Sequence, residues 1–246
     1  MALFFKSKKK KGKNITDDQE IQLKEDTAFS VQEAYKALRT NIIFSMTGNK
    51  SRCIGVSSST QAEGKSTNAI NLAASFAQIG KKVLLIDCDL RLPTIALKLD
   101  MPGQPGLSDY LVGECTLEKA VKKSEDMNFD VLPAGNIPPE ATGLLQSEEM
   151  KNLLDQLKEE YDYVFVDLPP INVVTDAIVL AGCIDGFLLV VKHESSEYRM
   201  VASMVDQLRF VHAKILGFIY TNTPVNNKKY YYKGYYGNGH KDRGGI

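Results

Sequence analysis

The residues with the most specific chemistry form one short loop. Residues 59–67 read Ser-Thr-Gln-Ala-Glu-Gly-Lys-Ser-Thr, which matches the phosphate-binding pattern G-x-x-x-x-G-K-[ST] except that Ser59 replaces the first glycine. In such a loop backbone N–H groups surround a polyphosphate, Lys65 would reach the β- and γ-phosphates, and Ser66 would bind Mg²⁺. The alternative is a chance Gly-Lys-Ser in a strand-to-helix turn. The residues predicted to contact ATP are Ser59, Thr60, Gln61, Ala62, Glu63, Gly64, Lys65, Ser66 and Thr67.

Three aspartates follow apolar runs elsewhere in the chain. Asp87 and Asp89 come after the run 83–86, and Asp167 follows the run 164–166, just before two prolines. Because residues i and i+2 of a strand point to the same side, Asp87 and Asp89 are expected to lie together beside the phosphates. Taken alone, Asp167 is equally typical of a turn or a helix cap. Next to a phosphate loop, it matches the aspartate that holds Mg²⁺.

Three carboxylates and a lysine exceed what nucleotide binding requires, so chemistry on the γ-phosphate is expected. One aspartate would accept the proton of an attacking hydroxyl, and the sequence does not say which. Lys65 is interpreted as a surface-loop residue, so its replacement by methionine is expected to leave the fold intact. The predicted catalytic residues are Lys65, Asp87, Asp89 and Asp167, and the predicted metal ligands are Ser66, Asp87, Asp89 and Asp167.

The elements that must position these residues follow an α/β pattern. A helix is predicted from Ser30 to about Phe44, where Ser30 and Glu33 have capping-box spacing. The alternation of strands and helices predicts a P-loop NTPase-like, mostly parallel β-sheet with helices on both faces, and ligands beyond the carboxyl ends of its strands. Continuous apolar runs predict strands at 53–56, 83–86, 164–166, 187–191 and 215–220, and helical patterns lie at 65–79, 148–160, 175–181 and 197–211.

Composition and charge limit the remaining possibilities. The 246 residues are 43% apolar, which suffices for one core, and 30 basic residues balance 30 acidic ones, so nucleic acid is not an expected partner. The cysteines lack C-x-x-C spacing, the histidines lack zinc-ligand spacing, and no stretch is typical of a signal peptide or a membrane span, so a cytoplasmic chain is expected. The predicted organisation is a flexible basic arm (1–28), a P-loop domain (29–223) and a flexible tyrosine-rich tail (224–246).

The loop ending Gly64-Lys65-Ser66-Thr67, the Asp87-x-Asp89-x-Arg91 segment and the Asp167-Leu-Pro-Pro turn resemble the bacterial protein-tyrosine kinases of the P-loop superfamily. The resemblance implies ATP and Mg²⁺ as cofactors. It also implies metal binding and activation of a tyrosine hydroxyl by the three aspartates. A terminal tyrosine cluster is the family's phosphoacceptor, and here it comprises Tyr230, Tyr231, Tyr232, Tyr235 and Tyr236.

The resemblance also implies partners. The family's ring-forming helix carries E-x-x-R-x-x-R, which Glu33, Lys36 and Arg39 match with lysine at the first arginine position. Lysine keeps the charge but loses the bidentate geometry of arginine. These residues are expected to support a homo-oligomeric ring, and an ordinary solvated charged face is the alternative.

Similar chains from Gram-positive bacteria pair with a membrane adaptor that activates the kinase, and they regulate capsular or extracellular polysaccharide synthesis and export. The resemblance therefore implies a peripheral position at the inner face of the membrane. Protein tyrosine substrates and a cognate protein-tyrosine phosphatase are implied in the same way.

Two other functions stay open on the sequence alone. A partition or cell-division-positioning ATPase would have the same sheet and the same aspartates. Those ATPases, however, resemble one another in having a second lysine four residues before the last glycine of the loop, where this chain has Thr60. A non-enzymatic nucleotide switch would use ATP only to bias assembly, with the tail as an aromatic docking segment. If the tail is not the phosphoacceptor, the alternative acceptors are Tyr35, Tyr161 and Tyr198.

Overall fold

Seven strands form one sheet. A computed structural model describes residues 23, 27–46, 52–124 and 128–222. The strands are β1 (Arg52–Ser58), β2 (Val83–Asp87), β3 (Lys122–Ser124), β4 (Phe129–Leu132), β5 (Tyr163–Asp167), β6 (Gly186–Lys192) and β7 (Ile215–Thr221). Their order is β3-β4-β2-β5-β1-β6-β7, and every pairing is parallel except that of β3 with β4. This confirms the predicted mostly parallel sheet.

Helices cover both faces of the sheet, as predicted. They are α1 (Phe29–Ser45), α2 (Lys65–Ala77), α3 (Ile95–Lys98), α4 (Leu107–Leu111), α5 (Leu117–Ala120), α6 (Ala141–Gln146), α7 (Glu148–Glu160), α8 (Asp176–Val179) and α9 (Tyr198–Phe210), with a 3₁₀ turn at Ala181–Cys183. One core lies between the sheet and α1 and α2, with Phe76 against Tyr163 at a ring distance of 4.2 Å. The other lies under α7 and α9. Apolar side chains on both faces explain why the central strands are continuously apolar.

The main elements match the sequence prediction, and the short ones do not. All five predicted strands and the long helices are present within a few residues of the expected bounds. The helix expected over 175–181 is the shorter α8, followed by the 3₁₀ turn. Strands β3 and β4 and helices α3 to α6 were not predicted, because three to six residues are too few to show a periodicity.

The predicted capping box of Ser30 and Glu33 is wrong. Helix α1 begins at Phe29, its N-cap residue is Ala28, and no side chain caps it. The backbone N–H groups of Val31 and Gln32 donate to the carbonyl of Ala28 instead. The buried face of α1 carries Val31, Tyr35, Leu38 and Ile42.

The predicted domain boundaries remain predictions. Most of the arm 1–28, the whole tail 224–246 and the five tail tyrosines lie outside the described residues. Within the arm, Leu23 is buried and its backbone N–H donates to Asn71 of α2 at 2.9 Å. In the described part of the chain, no helix combines the length and the apolar character needed to cross a membrane.

Candidate active site

Parallel pairing brings the predicted site residues to one edge of the sheet. In the β1–β5 register Val56 lies opposite Asp167, and in the β2–β5 register Asp87 also lies opposite Asp167. The carboxyl ends of these three central strands are therefore level. The loop 59–64 leaves β1 at this edge and enters α2 at Lys65.

The loop takes a backbone shape that only some residues adopt easily. Gly64, the N-cap of α2, has φ of 95°, and Ala62 has φ of 59°. Both values lie in the left-handed region, which glycine adopts without cost and alanine does not. No side chain caps the first turn of the 13-residue helix α2, so its N–H groups and positive dipole end can bind phosphate oxygens.

Ser59, which replaces the first glycine of the pattern, has a partner inside the loop. Its hydroxyl donates to both carboxylate oxygens of Glu63 at 3.0 and 3.1 Å, and the backbone N–H of Thr60 donates to Glu63 at 3.0 Å. The hydroxyl of Ser196, between β6 and α9, also donates to this carboxylate. Glu63 is 1% exposed. At the start of the loop, where the pattern has its first glycine, the backbone is held by this buried carboxylate.

Two further contacts hold the loop from outside. Lys192 at the end of β6 donates to the carbonyl of Ala62 at 3.1 Å, and Thr221 at the end of β7 donates to the carbonyl of Glu63 at 3.1 Å. Sequence reasoning missed Ser196, Lys192 and Thr221. They lie more than 120 residues from the loop along the chain, and no local pattern marks them.

Lys65 is buried at the centre of the three aspartates. Its ammonium nitrogen lies 2.7 Å from the carboxylate of Asp89, and the two side chains are 11% and 7% exposed. Burial by itself lowers the pKa of Lys65, but the negative charges of Asp167, Asp89 and Asp87 outweigh that effect and raise it. The interpretation of Lys65 as a surface-loop residue is therefore wrong, although its position at the start of α2 is the predicted one.

Asp87 and Asp89 come together through a turn, not through strand geometry. Strand β2 ends at Asp87, so the expectation that the two residues share one side of a strand is wrong, although they do lie together. The carboxylate of Asp87 accepts the backbone N–H groups of Asp89 at 3.1 Å, Thr94 at 3.1 Å and Ile95 at 3.0 Å. Burial, followed by the negative charge of Asp167, raises the pKa of Asp87. Asp89 also accepts the N–H of Leu92 at 3.1 Å.

Asp167, at the end of β5, differs from the other two. It is 0% exposed, and neither of its carboxylate oxygens has a partner of full hydrogen-bond geometry among the described residues. Burial raises the pKa of Asp167, and Lys65 and the nearby Ser66 hydroxyl reduce that rise. Buried carboxylates without partners are rare unless they bind a cation.

These residues fit a Mg²⁺ ion that is completed by its substrate. No group of three His, Cys, Asp or Glu side chains in the described segments has metal-site geometry by itself. Mg²⁺ usually takes one or two protein ligands and fills its octahedron with phosphate oxygens and water. Asp167 and Ser66 would hold it, because the oxygens of Asp167 are without a donor of full hydrogen-bond geometry in the described segments, whereas those of Asp87 and Asp89 accept other donors. The predicted role of Asp87 and Asp89 as metal ligands stays a prediction.

Arg91 is bound by residues of α6 and α8. Its guanidinium binds the fully buried carboxylate of Asp176 at 2.9 Å and the hydroxyl of Thr142 at 2.9 Å. Thr142 in turn donates to Asp176 at 2.6 Å. Hydrogen bonding to Asp176 raises the pKa of Arg91. This cluster fastens the segment after β2 to α6 and α8.

The residues predicted to support self-assembly have partners within the chain. Glu33 and Lys36 form an ion pair of 2.8 Å with both side chains about half exposed. Arg39 donates to the carbonyl of Ser75 in α2, and to the Ser75 hydroxyl at 3.0 Å. The contribution of these three residues to a ring stays a prediction.

The alternative acceptor tyrosines differ in accessibility. Tyr35 is buried, with its hydroxyl between Asn68 and Asn71. Tyr161 is buried and donates to Asp130 at 2.8 Å. Tyr198, the first residue of α9, is 86% exposed. Of these three tyrosines, only Tyr198 has a side chain that another molecule could reach.

Known proteins are similar to this chain in sequence and in fold. A family model described as an AAA domain matches residues 51–217. The tyrosine-protein kinase YwqD of Bacillus subtilis (strain 168) is 39% identical over 205 residues, which make up 83% of this chain and 86% of that protein. The kinase domain of Escherichia coli tyrosine kinase ETK superposes with a TM-score of 0.78 at 32% identity, and the match covers 84% of this chain and 81% of that one.

A second group of solved structures shares the sheet at lower similarity. The septum site-determining protein MinD of Pyrococcus horikoshii OT3, solved in complex with Mg-ADP, superposes with a TM-score of 0.60 at 27% identity. The match covers 69% of this chain and 70% of that one. This likeness agrees with the P-loop NTPase-like fold class that the sequence predicted.

Proposed function

Because the chain belongs to the family of bacterial tyrosine-protein kinases, we propose that it uses Mg²⁺ and ATP to phosphorylate the tyrosine cluster of its own tail. The acceptors would be Tyr230, Tyr231, Tyr232, Tyr235 and Tyr236. We further propose that this cycle regulates capsular or extracellular polysaccharide synthesis and export.

The observation that supports this proposal best is the environment of Lys65. A buried lysine sits among three carboxylates at the carboxyl edge of the sheet, at the first residue of a helix whose N–H groups are uncapped. Asp167, buried without a partner of full hydrogen-bond geometry among the described residues, would hold the Mg²⁺ that ATP brings. The arrangement suits stabilisation of charge on a transferring phosphoryl group.

In the proposed transfer, the tyrosine oxygen forms a bond to the γ-phosphorus while the bond from that phosphorus to the β–γ bridging oxygen breaks. ADP leaves, and the hydroxyl proton passes to one of the carboxylates of Asp87, Asp89 and Asp167. Lys65 and the N–H groups of the loop bind the phosphate oxygens. Mg²⁺, when bound, would neutralise part of the phosphate charge.

Transfer between subunits fits the predicted tail. A flexible segment of this length spans about 25 Å on average, which raises the effective concentration of tyrosine at a neighbouring active site. Several added phosphates would repel one another and could separate subunits of a ring. A cognate protein-tyrosine phosphatase would then return the chain to its starting state.

We propose a peripheral position at the inner face of the membrane, reached through an adaptor whose cytoplasmic segment activates the kinase. Six lysines in the predicted arm, between Lys6 and Lys13, would favour contact with anionic lipid.

The decisive experiment is incubation of the purified full chain with Mg²⁺ and ATP, with and without a peptide of a candidate adaptor's cytoplasmic segment. Mass spectrometry of the C-terminal peptide would locate the phosphate. The variant with all five tail tyrosines changed to phenylalanine serves as the control, and it should lose most labelling while binding ATP normally. Full labelling of that variant would move the acceptor elsewhere, first to the exposed Tyr198.

The second candidate function is a partition or cell-division-positioning ATPase, because the structure also resembles MinD. Thr60 argues against it, since those ATPases are similar to one another in having a lysine at that loop position. Release of ADP without any phosphopeptide, by an assembled and activator-bound chain, would favour this function.

A further inference from the structure

A chain of buried hydrogen bonds connects helix α1 to the phosphate loop. The hydroxyl of Tyr35 in α1 donates to the side-chain oxygen of Asn68 in α2 at 3.0 Å. The side-chain nitrogen of Asn68 donates to the carbonyl of Gly64 at 2.8 Å. On its other side, the Tyr35 hydroxyl accepts from the side-chain nitrogen of Asn71 at 3.0 Å. Asn71 accepts the backbone N–H of Leu23 at 2.9 Å.

The direction of every bond in this chain is fixed. A backbone carbonyl can only accept, so Asn68 must turn its nitrogen toward Gly64 and its oxygen toward Tyr35. A backbone N–H can only donate, so Asn71 must turn its oxygen toward Leu23 and its nitrogen toward Tyr35. The tyrosine hydroxyl both donates and accepts, so it can bond both amides at once.

The chain is buried, so its bonds are costly to lose. Relative exposure is 2% for Tyr35, 3% for Asn68 and 0% for Asn71. Burial also raises the pKa of Tyr35, so its proton stays in place. A buried amide that loses its partner pays a desolvation penalty that water cannot relieve.

The Gly64 carbonyl is the point where this chain meets the phosphate site. It accepts two bonds from Asn68, one from the backbone N–H at 3.0 Å and one from the side chain at 2.8 Å. Gly64 has left-handed backbone geometry and directly precedes Lys65. The peptide group between Gly64 and Lys65 is therefore oriented from inside the protein, by a side chain that Tyr35 holds in place.

We infer that Tyr35 is a positioning residue for the phosphate loop, acting through Asn68 on the Gly64 carbonyl. Without the hydroxyl, the Asn68 side chain can rotate, and its bond to the Gly64 carbonyl weakens. The backbone N–H groups of the loop and the Lys65 side chain are then no longer held in the orientation that binds phosphate. This inference rests on the proposed ATP site. It adds that helix α1, which also carries Glu33, Lys36 and Arg39, contributes to nucleotide affinity.

The test compares Tyr35→Phe with Tyr163→Phe in the full chain. Tyr163 is also buried, but its hydroxyl accepts from Arg52 at 2.8 Å, at the opposite, amino end of the strands. Both substitutions remove one buried hydroxyl, so both should lower the melting temperature. Only Tyr35→Phe should weaken binding of the Mg²⁺ complex of a non-hydrolysable ATP analogue, by about fivefold in isothermal titration calorimetry. The KM for ATP should rise in parallel, with little change in kcat.

A double-mutant cycle tests the route. Asn68→Ala should weaken analogue binding at least as much as Tyr35→Phe, and adding Tyr35→Phe to Asn68→Ala should have little further effect. Asn68→Ala also carries the test alone if Tyr35→Phe does not fold. Wild-type affinity for the analogue in both Tyr35→Phe and Asn68→Ala would overturn the inference. An equal loss of affinity in Tyr35→Phe and Tyr163→Phe would overturn it as well. Failure of the unmodified chain to bind the analogue would instead overturn the proposed ATP site.

Discussion

The ends of β2 and β5 carry equally buried carboxylates that differ in their hydrogen-bond partners. At the end of β2, Asp87 accepts three backbone N–H groups from the segment that follows it. At the end of β5, Asp167 has no partner of full hydrogen-bond geometry in the described part of the chain. The two residues lie opposite each other in the β2–β5 register, so neither position in the sheet nor depth explains the difference.

This difference separates a carboxylate that holds its own segment of backbone from one whose oxygens are left for a cation. The N–H groups of Thr94 and Ile95 come from the start of α3, so Asp87 fixes the turn that also carries Asp89. A buried charge without a partner destabilises the fold. Asp167 therefore lowers the stability of the fold, and a bound cation would remove that cost.

The largest expected effect comes from Lys65→Met, because the buried Lys65 ammonium group interacts with the carboxylates at both strand ends. Phosphotyrosine formation should fall at least about 100-fold, measured by labelling with Mg²⁺ and ATP. Because Asp89 would lose its buried partner, the free energy of unfolding should also fall by about 3 kcal/mol. Lys151→Met, which removes an exposed lysine of α7, is the matched control and should change neither quantity. Undiminished labelling in Lys65→Met would refute the kinase site.

Asp167→Asn should break the activity without weakening the fold. The amide keeps the size of the carboxylate and removes a buried charge whose oxygens have no partner of full hydrogen-bond geometry among the described residues. Because Lys65 keeps its ion pair with Asp89, the melting temperature of the nucleotide-free protein should stay the same or rise. Phosphate transfer should fall about 100-fold, and Mg²⁺ should no longer strengthen analogue binding. A marked loss of nucleotide-free stability would show that Asp167 has a structural partner after all.

Asp87→Asn should give the opposite result for stability. An asparagine places an NH2 group, which can only donate, where one carboxylate oxygen accepted backbone N–H groups, so at least one buried bond is lost. The free energy of unfolding, measured by urea denaturation without nucleotide, should fall by about 1 to 3 kcal/mol. If Asp87→Asn and Asp167→Asn shifted the urea midpoint equally, the two strand ends would be equivalent and the comparison would be wrong.

The sequence predicted which residues come together at the carboxyl edge of the sheet better than it predicted what each of them contacts. The carboxyl ends of parallel strands lie at the same edge of a sheet, so two apolar runs that each end in an aspartate predict that Asp87 and Asp167 lie at that edge. Together with the loop pattern, this predicted where the site lies. The difference between the two aspartates depends on the path of residues 88–95, which has no periodicity. The bonds of Glu63 to Ser196 and of Tyr35 to Asn68 join residues 133 and 33 positions apart, and no local signal predicts them.

The smallest expected effect concerns the loop that faces both strand ends. Ala62 has φ of 59°, a conformation that costs an L-residue about 1 kcal/mol or more and glycine almost nothing. Ala62→Gly should therefore stabilise the protein, by less than about 1 kcal/mol because glycine also gives the unfolded chain more freedom. Ala37→Gly, at an exposed position inside α1, is the matched control and should destabilise it by about 1 kcal/mol. Opposite signs in thermal unfolding would show that the loop is already held in its phosphate-binding shape without nucleotide. Equal destabilisation would show that Ala62 is not left-handed in solution, and that the loop takes its shape only when phosphate binds between the two strand ends.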